Sequence, residues 1–282
     1  MKKLIYNIAD IPIGVEIPFE MRISAESAPF LTNGETELGE QIRVTPVDAL
    51  PPVPGHGLWH QDRCFAGDSF HIRSAPGKAP YALVEYGEKG NICVSYLRDS
   101  GEMIPESSYL MNMLGLESLL LRHGGLILHA AFIRWQGQGI LFSAPSGTGK
   151  STQANLWQQY LGAEILNGDR AAIRNSNGIW TAYGLPYAGT SRIYRNMSAP
   201  IRAVVILRQS PKNHLRTLSA SEALRSLLPE FTAHRWDPSF MEKMLDLMAQ
   251  LLQQVPVYCL ECRPDRSAAD LLKRSMYDLN SG

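Results

Sequence analysis

The sequence predicts an α/β protein with a mixed central sheet flanked by helices, preceded by a β-rich N-terminal domain. Three observations predict it. Short apolar runs separated by Pro/Gly/Asn-rich turns fill residues 1 to about 100, the pattern of strands. Farther on, the apolar run Gly139-Ile-Leu-Phe142, the glycine-rich Ser143-Ala-Pro-Ser-Gly-Thr-Gly-Lys-Ser-Thr152 and a helical pattern follow one another as strand, turn and helix. Arg202-Ala-Val-Val-Ile-Leu207 is apolar almost without a break, as a strand covered on both faces should be.

In chain order, strands are expected over Lys3 to Ile8, Gly14 to Pro18, Gln41 to Val47, Ser69 to Arg73, Tyr81 to Tyr86 and Asn91 to Leu97. Pro51-Pro-Val-Pro-Gly-His-Gly57 is too proline-rich for either regular element and reads as a loop. Residues 1–104 are assigned to the β-rich domain and 105–282 to the second. Glu106 to His123 reads as one helix, apolar over most of its circumference and therefore buried, ended by Gly124-Gly125. Leu126 to Arg134 and Gly139 to Phe142 read as strands joined by a turn at Gln136-Gly137-Gln138. Thr152 to Leu161 places Ala154, Trp157 and Leu161 on one helical face, with Leu156 and Tyr160 flanking. Glu164 to Asn167, Ala171 to Arg174 and Gly178 to Tyr183 are strand-like, and Ala220 to Leu228 and Ser239 to Gln254 are helical. The Met241, Met244, Met248 and Leu251 stripe of the latter is core. Val255 to Arg263 is a strand, and Asp265 or Ser267 caps a last helix to about Leu279.

At 282 residues, with 45% hydrophobic and 19% charged residues, the chain can bury a sizeable core in one large domain or two modest ones. Its 27 basic residues balance 27 acidic ones, without the basic excess of a nucleic-acid binder. No run approaches the ~18 to 20 apolar residues of a membrane span. Asn7, Asp10 and Pro12 interrupt the N-terminal segment before it forms the apolar centre of a signal peptide. Cys64, Cys93, Cys259 and Cys262 are too few for a disulfide scaffold, so a cytoplasmic location is expected. Neither nucleic acid nor membrane is expected as a partner, and a homo-oligomer is compatible with the sequence.

The glycine-rich stretch reads as a phosphate-binding loop of the Walker A (P-loop) type, the competing reading being a glycine-rich turn without a ligand. Backbone N–H groups of Ser146, Gly147, Thr148, Gly149 and Lys150 can point into one concavity, faced by the positive end of the helix that Ser151 and Thr152 begin. Lys150 reaches the β- and γ-phosphates of ATP and the Ser151 hydroxyl ligates Mg²⁺. Ala144 stands where such loops usually open with glycine, which is tolerable wherever φ is negative.

Asp169 ends a strand 19 residues beyond Lys150, where a nucleotide-bound Mg²⁺ is usually held; the competing reading is a turn aspartate capping local N–H groups. His129 lies on the strand before the loop strand and can face the phosphates, or be a hydrogen-bonded core histidine. In Gly184-Leu-Pro-Tyr-Ala-Gly-Thr-Ser-Arg-Ile-Tyr-Arg195, Arg192 and Arg195 suit the arginine-finger role or are solvated turn residues; Arg170 can touch phosphate or pair with Asp169. His56, His60, Cys64 and His71 match no zinc spacing. Cys259 and Cys262 fall on opposite faces of a strand, against a shared metal or redox pair.

Leu128-His-Ala-Ala, Ala144-Pro-Ser-Gly-Thr-Gly-Lys-Ser151 and Asn167-Gly-Asp-Arg-Ala-Ala-Ile173 together resemble the catalytic domain of HPr kinase/phosphorylase, a family that shares its nucleotide site with the phosphoenolpyruvate carboxykinases. The histidine 15 residues before the loop and the aspartate one short helix after it carry the resemblance, which covers about residues 125 to 208. It implies phosphoryl transfer from a nucleotide to a hydroxyl, with Lys150 on the phosphates and Ser151 and Asp169 on Mg²⁺. Where the family shows adjacent aspartates, the first of them, its general base, aligns here with Gly168. The base role then falls to Asp169 or His129, or the acceptor is activated some other way. The later phosphorylase signature of the family has no clear copy here.

The functional expectation is an ATP-dependent kinase acting on a hydroxyl of a small-molecule or peptide acceptor. Catalysis is assigned to Asp169, His129, Lys150 and Arg192. A nucleotide-hydrolysing or carboxykinase-like enzyme, or a nucleotide-binding regulator without catalysis, are the alternatives.

Overall fold

Tyr6 and Ile8 on one arm and Ile11, Ile13, Val15 and Ile17 on the other are buried, and this spacing builds a hairpin of β1 (Lys2–Ile8) and β2 (Ile11–Ile17). Its connection Ala9-Asp10 takes left-handed φ values of 52° and 58°, the turn whose twist matches the strands. With β3 (Glu40–Val47), β4 (Leu58–His60), β5 (Arg63–Ala66), β6 (Ser69–Arg73), β7 (Pro80–Tyr86) and β8 (Asn91–Leu97) it forms an eight-stranded mixed sheet. The order is β1-β2-β3-β8-β7-β6-β5-β4. Strands β4 and β5 are absent from the sequence expectation: they are three and four residues long, and Leu58 is exposed, so no alternation builds up.

The structure, a computed structural model, describes residues 1–33, 37–67, 69–103, 106–187 and 189–278. It divides into two compact units, Met1–Leu116 and Glu117–Gly282, and the β-rich sheet lies in the first. The boundary expected between residues 104 and 105 lies outside the described residues, as does Leu279. The single helix expected from Glu106 to His123 is two, α1 (Ser107–Met113) and α2 (Leu116–Arg122). Gly115 breaks it with a φ of 63°, a conformation its lack of a side chain permits. Apolar residues on both sides of Gly115 hide that break from a hydrophobicity reading.

In the second unit, β9 (Gly125–Trp135) and β10 (Gln138–Ser143) form a hairpin through Gln136 and Gly137, both left-handed. Then come α3 (Lys150–Leu161), β11 (Glu164–Asn167), β12 (Arg170–Ser176), β13 (Ile179–Gly184), β14 (Ser198–Gln209), β15 (His214–Thr217), α4 (Ala220–Leu227), α5 (Pro238–Gln254), β16 (Val257–Cys262) and α6 (Arg266–Asp278). The sheet runs β10-β9-β12-β13-β14-β16-β15, with β11 also on β9 and β10 also on β14. Strand β14 is parallel to β10 and β16, and the other pairings are antiparallel, so the sheet is mixed.

Alternation explains the two-sided core. Ala131, Ile133, Phe142, Val205 and Leu207 pack with Trp157 of α3 and Leu272 of α6. Their neighbours Ala130, Phe132, Leu141, Val204 and Ile206 pack with Leu227 of α4 and Met244, Met248 and Leu251 of α5. Helices cover both faces, which is why the run ending at Leu207 is apolar throughout. Among the described residues no helix is long and apolar enough to cross a membrane.

Candidate active site

At Ser143 strand β10 gives way to the loop that leads into α3. Ala144 sits in ordinary backbone with its methyl in the core, so the missing glycine has no conformational cost. Gly147 and Gly149 take φ values of 78° and 117°, and a side chain built on either would meet nothing within 4 Å. Glycine is thus required there for backbone shape, and the space above both is open. Helix α3 starts at Gly149 with no capping side chain, so its first N–H groups remain available to an anion. Ser151 and Thr152 are exposed at this mouth.

Lys150 is buried and donates from Nζ to the carbonyl oxygens of Ala144 (2.7 Å) and Pro145 (3.4 Å). Burial pushes its ammonium below the ordinary value of 10.5, and the charges of Glu230 and Asp169 partly offset that. Ser143 donates from Oγ to the His129 carbonyl (2.9 Å), tying the start of the loop to β9.

Asp169 projects from the two-residue link between β11 and β12, and its carbonyl accepts from Ala130 N on β9 (2.9 Å). The link is held by Asn167, which is fully buried. Asn167 Oδ1 accepts from the backbone N–H of Asp169 (2.9 Å) and Arg170 (3.1 Å), and its Nδ2 donates to the carbonyls of Leu185 and Tyr187 (both 2.9 Å). One side chain therefore fixes the aspartate and the segment passing over it. His129 Nε2 lies 3.7 Å from Asp169 Oδ1.

The other ring nitrogen, His129 Nδ1, is 3.1 Å from Glu230 Oε2, on the 3₁₀ turn Leu228–Glu230. That turn is laid along β9 by a bridge between Phe231 and Leu128 and by Thr232 N donating to the Ile127 carbonyl (2.9 Å). Glu230 escapes sequence reasoning: it is 101 residues from His129 and its local sequence is an ordinary helix exit. Asn167 was within sight, since Asn-Gly-Asp is turn chemistry, yet its burial has no local signal.

The structure thus brings together Lys150, His129 and Asp169 from the expected set and adds Glu230 and Asn167. Among the described residues no contact joins Arg192 to them; it is exposed, with a φ of 52°, beside the turn Gly189–Ser191. Arg195 pairs with Glu164, which Arg134 also holds, and Arg170 lies 3.5 Å from Asp169.

Position 168 has its own geometry. A Cβ on Gly168 would lie 2.2 Å from Ser191 Oγ and 2.5 Å from Ser191 Cβ. The serine side chain fills the volume a residue-168 side chain would need. Gly189 is as confined: its φ is 52° and a Cβ there would come within 2.8 Å of the Asp169 side chain.

Ser151 and Asp169 offer hard oxygen donors, and among the described residues no cluster of three or more His, Cys, Asp or Glu is arranged to hold a metal ion. One carboxylate and one hydroxyl suit a Mg²⁺ that arrives with phosphate and keeps several waters.

The profile of the family described as SynChlorMet cassette protein ScmC matches residues 111–264, more than half of the chain. Among solved structures, the Hpr(Ser) kinase/phosphatase from Coxiella burnetii is 12% identical, covering 55% of this chain and 99% of its own, with a TM-score of 0.33. No curated protein sequence matches.

Proposed function

The chain belongs to the ScmC family of SynChlorMet cassette proteins, and for it we propose an ATP-dependent phosphotransferase that moves the γ-phosphoryl group to a hydroxyl of a small molecule or peptide. What supports it is the convergence of Lys150, His129, Asp169 and Glu230 beside the uncapped start of α3.

Lys150 exchanges its two carbonyl acceptors for phosphate oxygens, and the N–H groups of Ser146 to Lys150 share the charge. Glu230 accepts from Nδ1–H of His129 and leaves Nε2 as the basic nitrogen. Nε2 takes the acceptor hydroxyl proton while that oxygen bonds to the γ-phosphorus and the bond to the bridging oxygen breaks, releasing ADP. Asp169, 3.7 Å away, orients the acceptor or the metal. Mg²⁺ held by Ser151 and Asp169 would supply charge neutralisation on the phosphates. Arg192 keeps the role of neutralising the transferring group from its exposed turn. Base function falls to His129 because position 168 has no carboxylate and Ser191 occupies its space.

The test measures ADP and acid-stable phosphoester over a panel of hydroxyl-bearing small molecules and peptides. The native chain should yield both, Lys150→Ala neither while keeping its fold, and His129→Ala about 10²–10⁴-fold less. The same Gly168 geometry favours a second reading, a nucleotide-binding regulator. Nucleotide bound with no ADP released across the panel selects that reading and removes the kinase.

A further inference from the structure

Strand β10 has β9 on one side, with His129 and Asp169, and β14 on the other. On the β14 side opens a cavity of about 590 Å³. Loop residues Gly147 and Gly149 and Thr152 of α3 form part of its lining, and the segments leaving β14 (Gln209 to Pro211) and β16 (Cys262 to Pro264) wall it. It therefore sits at the carboxyl ends of three mutually parallel strands, where open α/β sheets take their ligands. Its volume falls in the range of roughly 300–1,000 Å³ common to small-molecule sites.

One lining residue has an unmet bond. Gln153, on the first turn of α3, is only 2% exposed, and its Nε2 donates to Cys262 Sγ at 3.3 Å. Its Oε1, itself buried, has no hydrogen-bond partner among the described residues. Buried acceptors are rarely left so, and the residue that carries this one lines the cavity, within a side-chain adjustment of a ligand donor. Leu207, Pro211 and Pro264 supply apolar surface around it.

We propose that this cavity holds the nucleoside of the triphosphate, and that Gln153 Oε1 accepts a hydrogen bond from an exocyclic amino group of the base, which makes the chain selective for an amino-bearing purine such as adenine. The inference rests on the proposed nucleotide site: residues that line the cavity belong to the phosphate loop itself, so one ligand with a charged tail and a flat ring spans both. Phosphoryl transfer then occupies the β9 side of β10 and base recognition the β14 side.

Calorimetry on the full chain with Mg²⁺ compares ATP, purine riboside triphosphate (the same base without the amine) and tripolyphosphate. ATP should bind about tenfold more tightly than purine riboside triphosphate. Gln153→Leu should equalise the two while leaving tripolyphosphate affinity unchanged. Cys262 gives a second readout that does not depend on that variant. In a Cys93→Ser background it is the one of the three remaining thiols that is not buried. Adenosine should slow its alkylation, and tripolyphosphate should not. Equal affinities for ATP and purine riboside triphosphate in the native chain, discrimination that survives Gln153→Leu, or alkylation indifferent to adenosine overturns the base site. Tripolyphosphate binding as tightly as ATP does the same and leaves the loop its phosphate role. No binding of either overturns both.

Discussion

Replacing Gly168 by Ala adds one methyl group where the structure has no room. The new Cβ would sit 2.2 Å from Ser191 Oγ and 2.5 Å from Ser191 Cβ, against an optimal separation of about 3.5–4.0 Å between carbons. A shift of about 1 Å or more is needed, and turning the hydroxyl away leaves the Cβ clash in place. Ser191 is poorly placed to retreat: its Oγ accepts from Ile193 N at 3.3 Å, and nearby Gly189 already abuts Asp169. Overpacking of this kind costs about 1–3 kcal/mol. Gly168 has no positive φ, so alanine also stiffens the unfolded chain and returns about 0.4–1 kcal/mol. The expected net loss is about 1–2 kcal/mol, or roughly 2–8 °C in Tm. In a Ser191→Gly background the clash disappears and only the chain-stiffening gain remains, so the sign should reverse. Denaturant unfolding of the four proteins in this cycle reads the coupling directly. Gly168→Ala that is neutral beside Ser191, or equally harmful beside Gly at position 191, refutes the steric explanation for the missing carboxylate.

Four further outcomes are expected. Asn167→Ala strands two backbone donors and two carbonyls, and should cost about 2–4 kcal/mol in chemical denaturation while lowering turnover more than nucleotide affinity; unchanged stability would show that water replaces the amide. Glu230→Gln should lower kcat and move the pH profile of kcat, with KM for ATP little changed; an unaltered profile removes Glu230 from the proton path. The Glu222 carboxyl is held down to about 2, chiefly by bonds from the Ser219 backbone and side chain and then from Arg216. Its contribution to stability is present above the unfolded value of 4.5 and lost as pH falls through about 2, so Glu222→Gln should flatten the acid limb of Tm against pH. Burial lowers the Lys150 pKa, so the free chain gains stability as pH rises through that lowered value, and phosphate binding must return the proton. Nucleotide affinity should weaken with rising pH between the lowered value and 10.5, with proton uptake seen by calorimetry in buffers of different ionisation enthalpy; no uptake would show Lys150 already charged throughout.

What the sequence disclosed is what lies close along the chain. Strand, loop and helix from Gly139 to Leu161 are contiguous, and Asp169 follows just past the next strand, so periodicity and motif spacing locate them. His129 was legible because a two-residue turn sets β9 against β10. Glu230 was not, since it reaches His129 only through the packing of a distant 3₁₀ turn on β9. Asn167 reads as a turn residue from either side, and only burial turns its amide into the brace for Asp169. Gly168 was seen as a gap; that Ser191 fills it is a contact across 23 residues with no trace in local composition. Strand β15 was missed for the same reason as β4 and β5, being too short to alternate.

Strand β9 carries His129 and is hydrogen-bonded to β10, β11 and β12. One ribbon of backbone thus serves as the common ruler for the glycine-rich loop, the carboxylate and the imidazole. Their mutual spacing is therefore inherited together and is hard to alter piecemeal. Diversification among related chains should fall instead on elements away from this ruler, such as β15 at the far edge of the sheet, where surface can change without recalibrating that spacing.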